Sequence, residues 1–196
     1  MGTRPWQTRA GPYRFRARLA PYNPLELVTK HSVEAIVSAL NSAQVRYLIA
    51  GGLAVVAHGF VRFTADVDLI LDLDAGNLGR AIEALEKLGY KPRAPVPLHD
   101  FKVPEKREEW VREKDLTVFS LYSPEHQATE VDLFVEAQLD FDEAFRAATR
   151  LDVAPDVEAV FVGYDDLVRL KRRAGRPSDL ADIEHLKAIR SERQDD

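Results

Sequence analysis

Two aspartates one residue apart, Asp66 and Asp68, open the run Asp-Val-Asp-Leu-Ile-Leu over residues 66 to 71. A strand sends successive side chains to opposite faces, so both carboxylates share one face and Val67, Leu69 and Leu71 the other. Strands disfavour aspartate, and like charges at neighbouring same-face positions repel. A hard divalent cation resolves that repulsion, and Mg²⁺ is commonly held by one or two carboxylates together with the phosphates of a substrate. A solvated edge strand with a polar outer face would account for the same pair without a metal.

The pattern recurs at residues 129 to 135, where Val131, Leu133 and Val135 oppose Glu130, Asp132 and Phe134. If this strand lies beside the first, Asp132 completes a two-metal site and could also activate an attacking hydroxyl. Taken singly it would equally suit a solvent-facing sheet position, and Glu130 reads as surface. Upstream, Gly51-Gly52 allows a sharp turn and close approach of a ligand, with the first amides of a following helix free for phosphate oxygens. A glycine pair is also an ordinary turn. Lys171 falls on the same helix face as Leu167 and Ala174, towards the protein body, where an ammonium needs an anionic partner. A nucleotide phosphate would be one; otherwise the stem lies along the surface with its head in water. His58 reads as a helix-end residue capping carbonyls, and Trp110 as a core anchor rather than a base-stacking platform.

Positioning these groups requires a strand over residues 46 to 50, a short helix over 53 to 57 closed by Gly59, and the Asp66 strand. An amphipathic helix over 23 to 41 precedes them. A helix carrying Leu78, Ile82, Leu85 and Leu88 follows, capped by Asp74 or Asn77 and stopped at Gly89. Pro92, Pro95, Pro97 and Pro104 predict a loop over 90 to 104. Beyond it the pattern gives a charged helix over 105 to 115, strands over 116 to 122 and 129 to 135, a helix over 141 to 148 and a strand over 157 to 162. Two final helices, 165 to 174 and 178 to about 192, are separated by Gly175-Arg176-Pro177, with Ser178 or Asp179 as cap.

At 196 residues, with 45% hydrophobic and 30% charged residues, the composition is that of a soluble globular chain of one domain. Residues 23 to 196 are expected to form that domain, including a helical segment from 164 onward. Residues 1 to 22, with five arginines, three prolines and no acid, read as a basic arm that is mostly disordered. No run is long and apolar enough for a membrane span or signal peptide, and cysteine is absent, which excludes disulfides and thiolate metal sites; a cytoplasmic location is expected. The net charge of −5 argues against a chain that simply coats nucleic acid.

Together, Gly51-Gly52, Asp66-Val67-Asp68 and Asp132 resemble the DNA polymerase β-type nucleotidyltransferase superfamily. The segments Arg62-x-Thr64-x-Asp66-x-Asp68 and Lys171-Arg172-x-x-Gly175-Arg176-Pro177-x-Asp179-x-x-Asp182 are similar to small bacterial nucleotidyltransferases related to AbiEii-type toxins of toxin–antitoxin and abortive-infection systems. The resemblance covers about residues 45 to 186. It implies an α+β fold, with a mixed β-sheet nucleotidyltransferase core flanked by helices and followed by C-terminal helices. It implies that Asp66 and Asp68 hold Mg²⁺, that Asp132 joins the metals and serves as base, and that Gly51, Gly52 and Lys171 meet the triphosphate. Arg62 would reach a phosphate or the base and Thr64 would orient the aspartates, although both also suit a loop leading into the strand. Asp179 and Asp182 would orient Lys171 or Arg176, or favour a helix N-terminus. The expected activity is transfer of an NMP from an NTP to a hydroxyl of RNA, tRNA or protein, with a toxin or antitoxin as a possible partner and no membrane. An aminoglycoside-type adenylyltransferase and a catalytically silent NTP-binding module share the same pattern. Gly52 departs from the serine that many relatives carry there.

Overall fold

The computed structural model describes residues 30–195. The basic arm over 1 to 22, and the part of the first predicted helix before residue 30, lie outside them. In chain order the elements are α1 (Lys30–Ser42), β1 (Tyr47–Ile49), α2 (Gly51–Ala57), β2 (Val67–Leu71), α3 (Ala75–Lys87), β3 (Lys91–Pro92), a 3₁₀ helix (Leu98–Lys102) and α4 (Pro104–Lys114). They continue with β4 (Val118–Tyr122), β5 (Val131–Phe134), α5 (Phe141–Arg146), β6 (Thr149–Ala154), β7 (Val157–Phe161), α6 (Tyr164–Ala174) and α7 (Pro177–Asp195). The fold is α+β, a seven-stranded mixed sheet in the order β3-β4-β5-β2-β1-β7-β6 with helices around it. Among the described residues no helix is long and apolar enough to cross a membrane.

The middle of the sheet is fixed by the apolar faces. All three residues of β1 are buried, as are Val67, Leu69, Ile70 and Leu71 of β2 and Val131 and Leu133 of β5. Burying that many aliphatic side chains against α1 and α3, at about 25 cal/mol per Å², supplies the main driving force for this packing. β2 pairs antiparallel with β1 and parallel with β5, in a register that sets Asp68 directly opposite Asp132. A one-residue slip would turn the aliphatic row to the other face, so the core itself fixes the alignment of the two carboxylates.

Asp74 is the cap of α3, its carboxylate accepting from the amides of Gly76 and Asn77. Asn77 instead is buried and braces the β1 and β2 ends, bonding Arg46 and the Asp72 carbonyl. Trp110 is a core anchor, stacked on Phe119 with ring centroids 5.0 Å apart. Four expectations are corrected. The glycine pair belongs to the first turn of α2 rather than to a turn before it, with Gly51 at φ +59°. The proline-rich stretch is not all loop, because Pro92 fits the short edge strand β3 and the 3₁₀ helix buries Leu98 and Phe101. β6 was not foreseen; it pairs antiparallel with β7 as an outer strand, and Arg150 and Asp152 on its exposed face break the apolar signal. Finally, α7 starts at Pro177, so Ser178 and Asp179 sit inside its first turn, and Asp179 turns to Lys171.

Candidate active site

The β2–β5 pairing opens a cavity of about 520 Å³ between the sheet and the C-terminal helices, within the range usual for small-molecule sites. Its lining includes Gly51, Gly52, Arg62, Thr64, Asp66, Asp68, Asp132 and Lys171, all eight of the residues singled out from the sequence. Two rows of alternate residues build the sheet side. Arg62, Thr64, Asp66 and Asp68 form one, and Asp132, Phe134, Glu136 and Gln138 the other. The period of two therefore runs past the ends of both strands, a signal that would have found Glu136 and Gln138 in the sequence.

The electrostatics of this wall are those of carboxylates without counterions. Asp66, Asp68 and Asp132 form no ion pair among the described residues, and Asp132 Oδ1 is buried with no hydrogen-bond partner. Burial pushes the Asp68 carboxyl up to about 6, with the charges of Asp132 and Asp66 adding to the rise and Lys171 and Arg176 opposing it. Asp66, at the exposed end of the row, is raised by burial first and then by Asp132 and Glu130. Glu130 is not part of the group: it pairs with Arg93, whose hydrogen bond holds it below the usual carboxylate range.

Gly51 closes against this wall. A Cβ there would lie 1.8 Å from Asp68 Oδ2, and the positive φ disfavours a side chain independently, so only glycine brings the backbone this near the carboxylate. The donor set is all oxygen, one donor is orphaned, and like charges meet across paired strands. These properties fit a hard divalent cation such as Mg²⁺, with Asp66, Asp68 and Asp132 as the residues that would hold it. Among the described residues no three His, Asp or Glu side chains close into a metal cage by themselves. Mg²⁺ bound through a few carboxylates completes its shell with water and substrate phosphates.

The helical wall is built differently. Lys171 of α6 is 5% exposed, and its Nζ donates to Asp179 Oδ1 at 3.0 Å and lies 2.7 Å from Asp182 Oδ2, both on α7. Arg62 donates to the same Asp182 carboxylate. Two cations and two anions thus cancel in a cluster that ties α6 and α7 to the segment before β2. The anion facing Lys171 comes from the protein itself. Arg173 and Arg176, both exposed, also line the cavity, and Arg176 only touches the edge of Asp179, at 4.0 Å. Sequence periodicity did not single them out, because exposed arginines at a helix end read as solvated charge. His58 ends α2 with Nε2 2.9 Å from the Val162 carbonyl and its ring edge-on to Tyr164, outside the cavity lining. The chain matches no protein-family model, and no curated protein matches it significantly.

Proposed function

We propose that the chain is a Mg²⁺-dependent nucleotidyltransferase that moves an NMP from an NTP to an acceptor hydroxyl, with release of pyrophosphate. One observation carries the reading: Asp68 and Asp132, in register on adjacent parallel strands and joined by Asp66, face a nucleotide-sized cavity as unpaired carboxylates. A purely structural sheet gains nothing from that arrangement, since like charges set opposite one another on paired strands without a cationic partner repel.

In the proposed reaction the acceptor oxygen forms a bond to the α-phosphorus while the bond from that phosphorus to the β-bridging oxygen breaks, and pyrophosphate carries away the electron pair. Asp132, which lines the cavity, takes the acceptor proton. Bound by the three aspartates, Mg²⁺ would supply charge neutralisation at the phosphates and the leaving group. Arg176 and Arg173 bring positive charge to the opposite wall, where the triphosphate lies, and Gly51 and Gly52 present their backbone to the same cavity. The proposed acceptor is RNA, tRNA or a protein, and the setting a toxin–antitoxin pair in a soluble compartment such as the cytoplasm.

The test is incubation of the purified chain with each labelled NTP, Mg²⁺, total RNA and cell lysate, reading which polymer takes up label. Asp66→Asn and Asp132→Asn should both abolish labelling while remaining folded by circular dichroism. Transfer at the wild-type rate by either variant would overturn the site assignment.

A further inference from the structure

Thr64 stands over Gly52 at a distance no side chain on residue 52 could tolerate. A Cβ at Gly52 would meet Thr64 Oγ1 at 2.4 Å, Cβ at 2.8 Å and Cγ2 at 3.3 Å. Gly52 is not among the glycines with positive φ, so its backbone does not demand glycine; the volume taken by Thr64 does. Both residues line the cavity. Among the described residues the Thr64 hydroxyl has no hydrogen-bond partner, neither the aspartates beside it nor its own loop backbone. Threonine in a loop ordinarily spends its hydroxyl on nearby backbone. Here Thr64 lines the cavity with Arg62 and Asp66, its Oγ1 beside Gly52 and its donor without a partner among the described residues.

We propose that Thr64 donates its hydroxyl to a non-bridging phosphate oxygen of the bound triphosphate, and that residue 52 is glycine to make room for it. The inference rests on the nucleotidyltransferase reading. Thr64 is then a phosphate-binding residue, not a positioning residue for the aspartates. It fills from the β2 side the space that a hydroxyl on residue 52 would fill from the α2 side.

The experiment measures binding of each NTP, and of inorganic triphosphate, by titration calorimetry with Mg²⁺ on the full chain. Thr64→Val, which keeps the shape and removes the hydroxyl, should weaken NTP and inorganic triphosphate alike by about tenfold or more, as expected for a lost hydrogen bond to a charged group. Thr64→Ser should stay within about threefold of wild type. Gly52→Ser alone should lose binding through its collision with Thr64, and Gly52→Ser combined with Thr64→Gly should regain part of it. Thermal melting accompanies each variant, and Thr64→Ala against Thr64→Ser makes the same comparison if the valine variant does not fold. Equal affinity of wild type and Thr64→Val for NTP would sink the Thr64 assignment and leave the nucleotidyltransferase reading standing. A loss confined to NTP, with inorganic triphosphate unaffected, would overturn the phosphate contact. Failure of the wild type to bind any NTP would sink both.

Discussion

On the sheet side of the cavity, Asp66, Asp68 and Asp132 confront one another without a cationic partner, and Asp132 leaves a buried oxygen unbonded. On the helical side, Lys171 and Arg62 meet Asp179 and Asp182 in contacts that cancel their charge. Both walls place charge in partly or wholly dry surroundings. Each wall leaves one carboxylate oxygen buried and unbonded, Asp132 Oδ1 and Asp179 Oδ2, but only the second pairs its charges internally; in the proposed function a bound cation balances the first. Under the proposed function, the difference separates residues that act on the ligand from residues that hold the walls in place.

Asp68→Asn should break the comparison most sharply. It removes a carboxylate from the unbalanced wall, so nucleotide transfer should fall by about a thousandfold or more, while the metal-free protein becomes more stable. A structural aspartate gives the opposite sign in a thermal melt. If Asp68→Asn lowers the melting temperature instead, the wall is not storing repulsion.

Lys171→Met should have the next largest effect, on the other wall and on stability rather than chemistry. Removing the ammonium leaves Asp179 and Asp182 buried, with Arg62 able to answer only Asp182. Breaking a buried pair on one side costs about 3–5 kcal/mol. Urea unfolding should show that loss; an unchanged midpoint would mean that Lys171 is not a brace and its charge is available to the triphosphate.

The same comparison predicts a pH dependence. The Asp68 carboxyl rises from the model-peptide value of 3.8 to about 6 in the folded protein, so the folded state binds this proton more tightly than the unfolded chain does. The stability it contributes is fully present below 3.8 and is lost as pH rises through about 6, a span worth on the order of 2–3 kcal/mol. Metal-free wild type should therefore melt at a higher temperature at pH 5 than Asp68→Asn would lead one to expect from its own profile. Millimolar Mg²⁺ at pH 7.5 should recover part of the lost stability, since a ligand that binds only the folded state stabilises it. Parallel profiles for the two proteins would remove Asp68 from the account.

How far the sequence discloses these walls follows from what each is made of. The sheet wall rests on period-two alternation with an apolar row opposite, so the carboxylate faces of both strands are legible; that β2 and β5 lie side by side is only a condition in the sequence, and the register meets it. The helical wall rests on contacts between α6 and α7 that no single helix contains. The face of Lys171 could be read from its spacing, but its partners Asp179 and Asp182 lie across the Gly175 break and looked equally like capping residues. β6 escaped for a related reason. An outer strand buries little, so Arg150 and Asp152 hide the alternation that its pairing with β7 creates.

The smallest expected effect sharpens the division within the helical wall. Lys171 is 6% exposed at the side chain and already faces two carboxylates, whereas Arg176 is 78% exposed and meets Asp179 only at 4.0 Å. In the proposed complex a triphosphate against Asp66 and Asp68 would meet Arg176 with its guanidinium donors largely free, and both cations already act on Asp68 through space. Arg176→Ala should therefore raise KM for NTP by about tenfold with kcat little changed and the melting temperature unaltered, since it removes ground-state grip and no buried contact. Arg172, exposed on α6 but outside the cavity lining, is the control, and its alanine variant should behave as wild type. If Arg172→Ala and Arg176→Ala change KM equally, the helical wall attracts nucleotide only by its general charge, and the distinction between a bracing lysine and a gripping arginine fails.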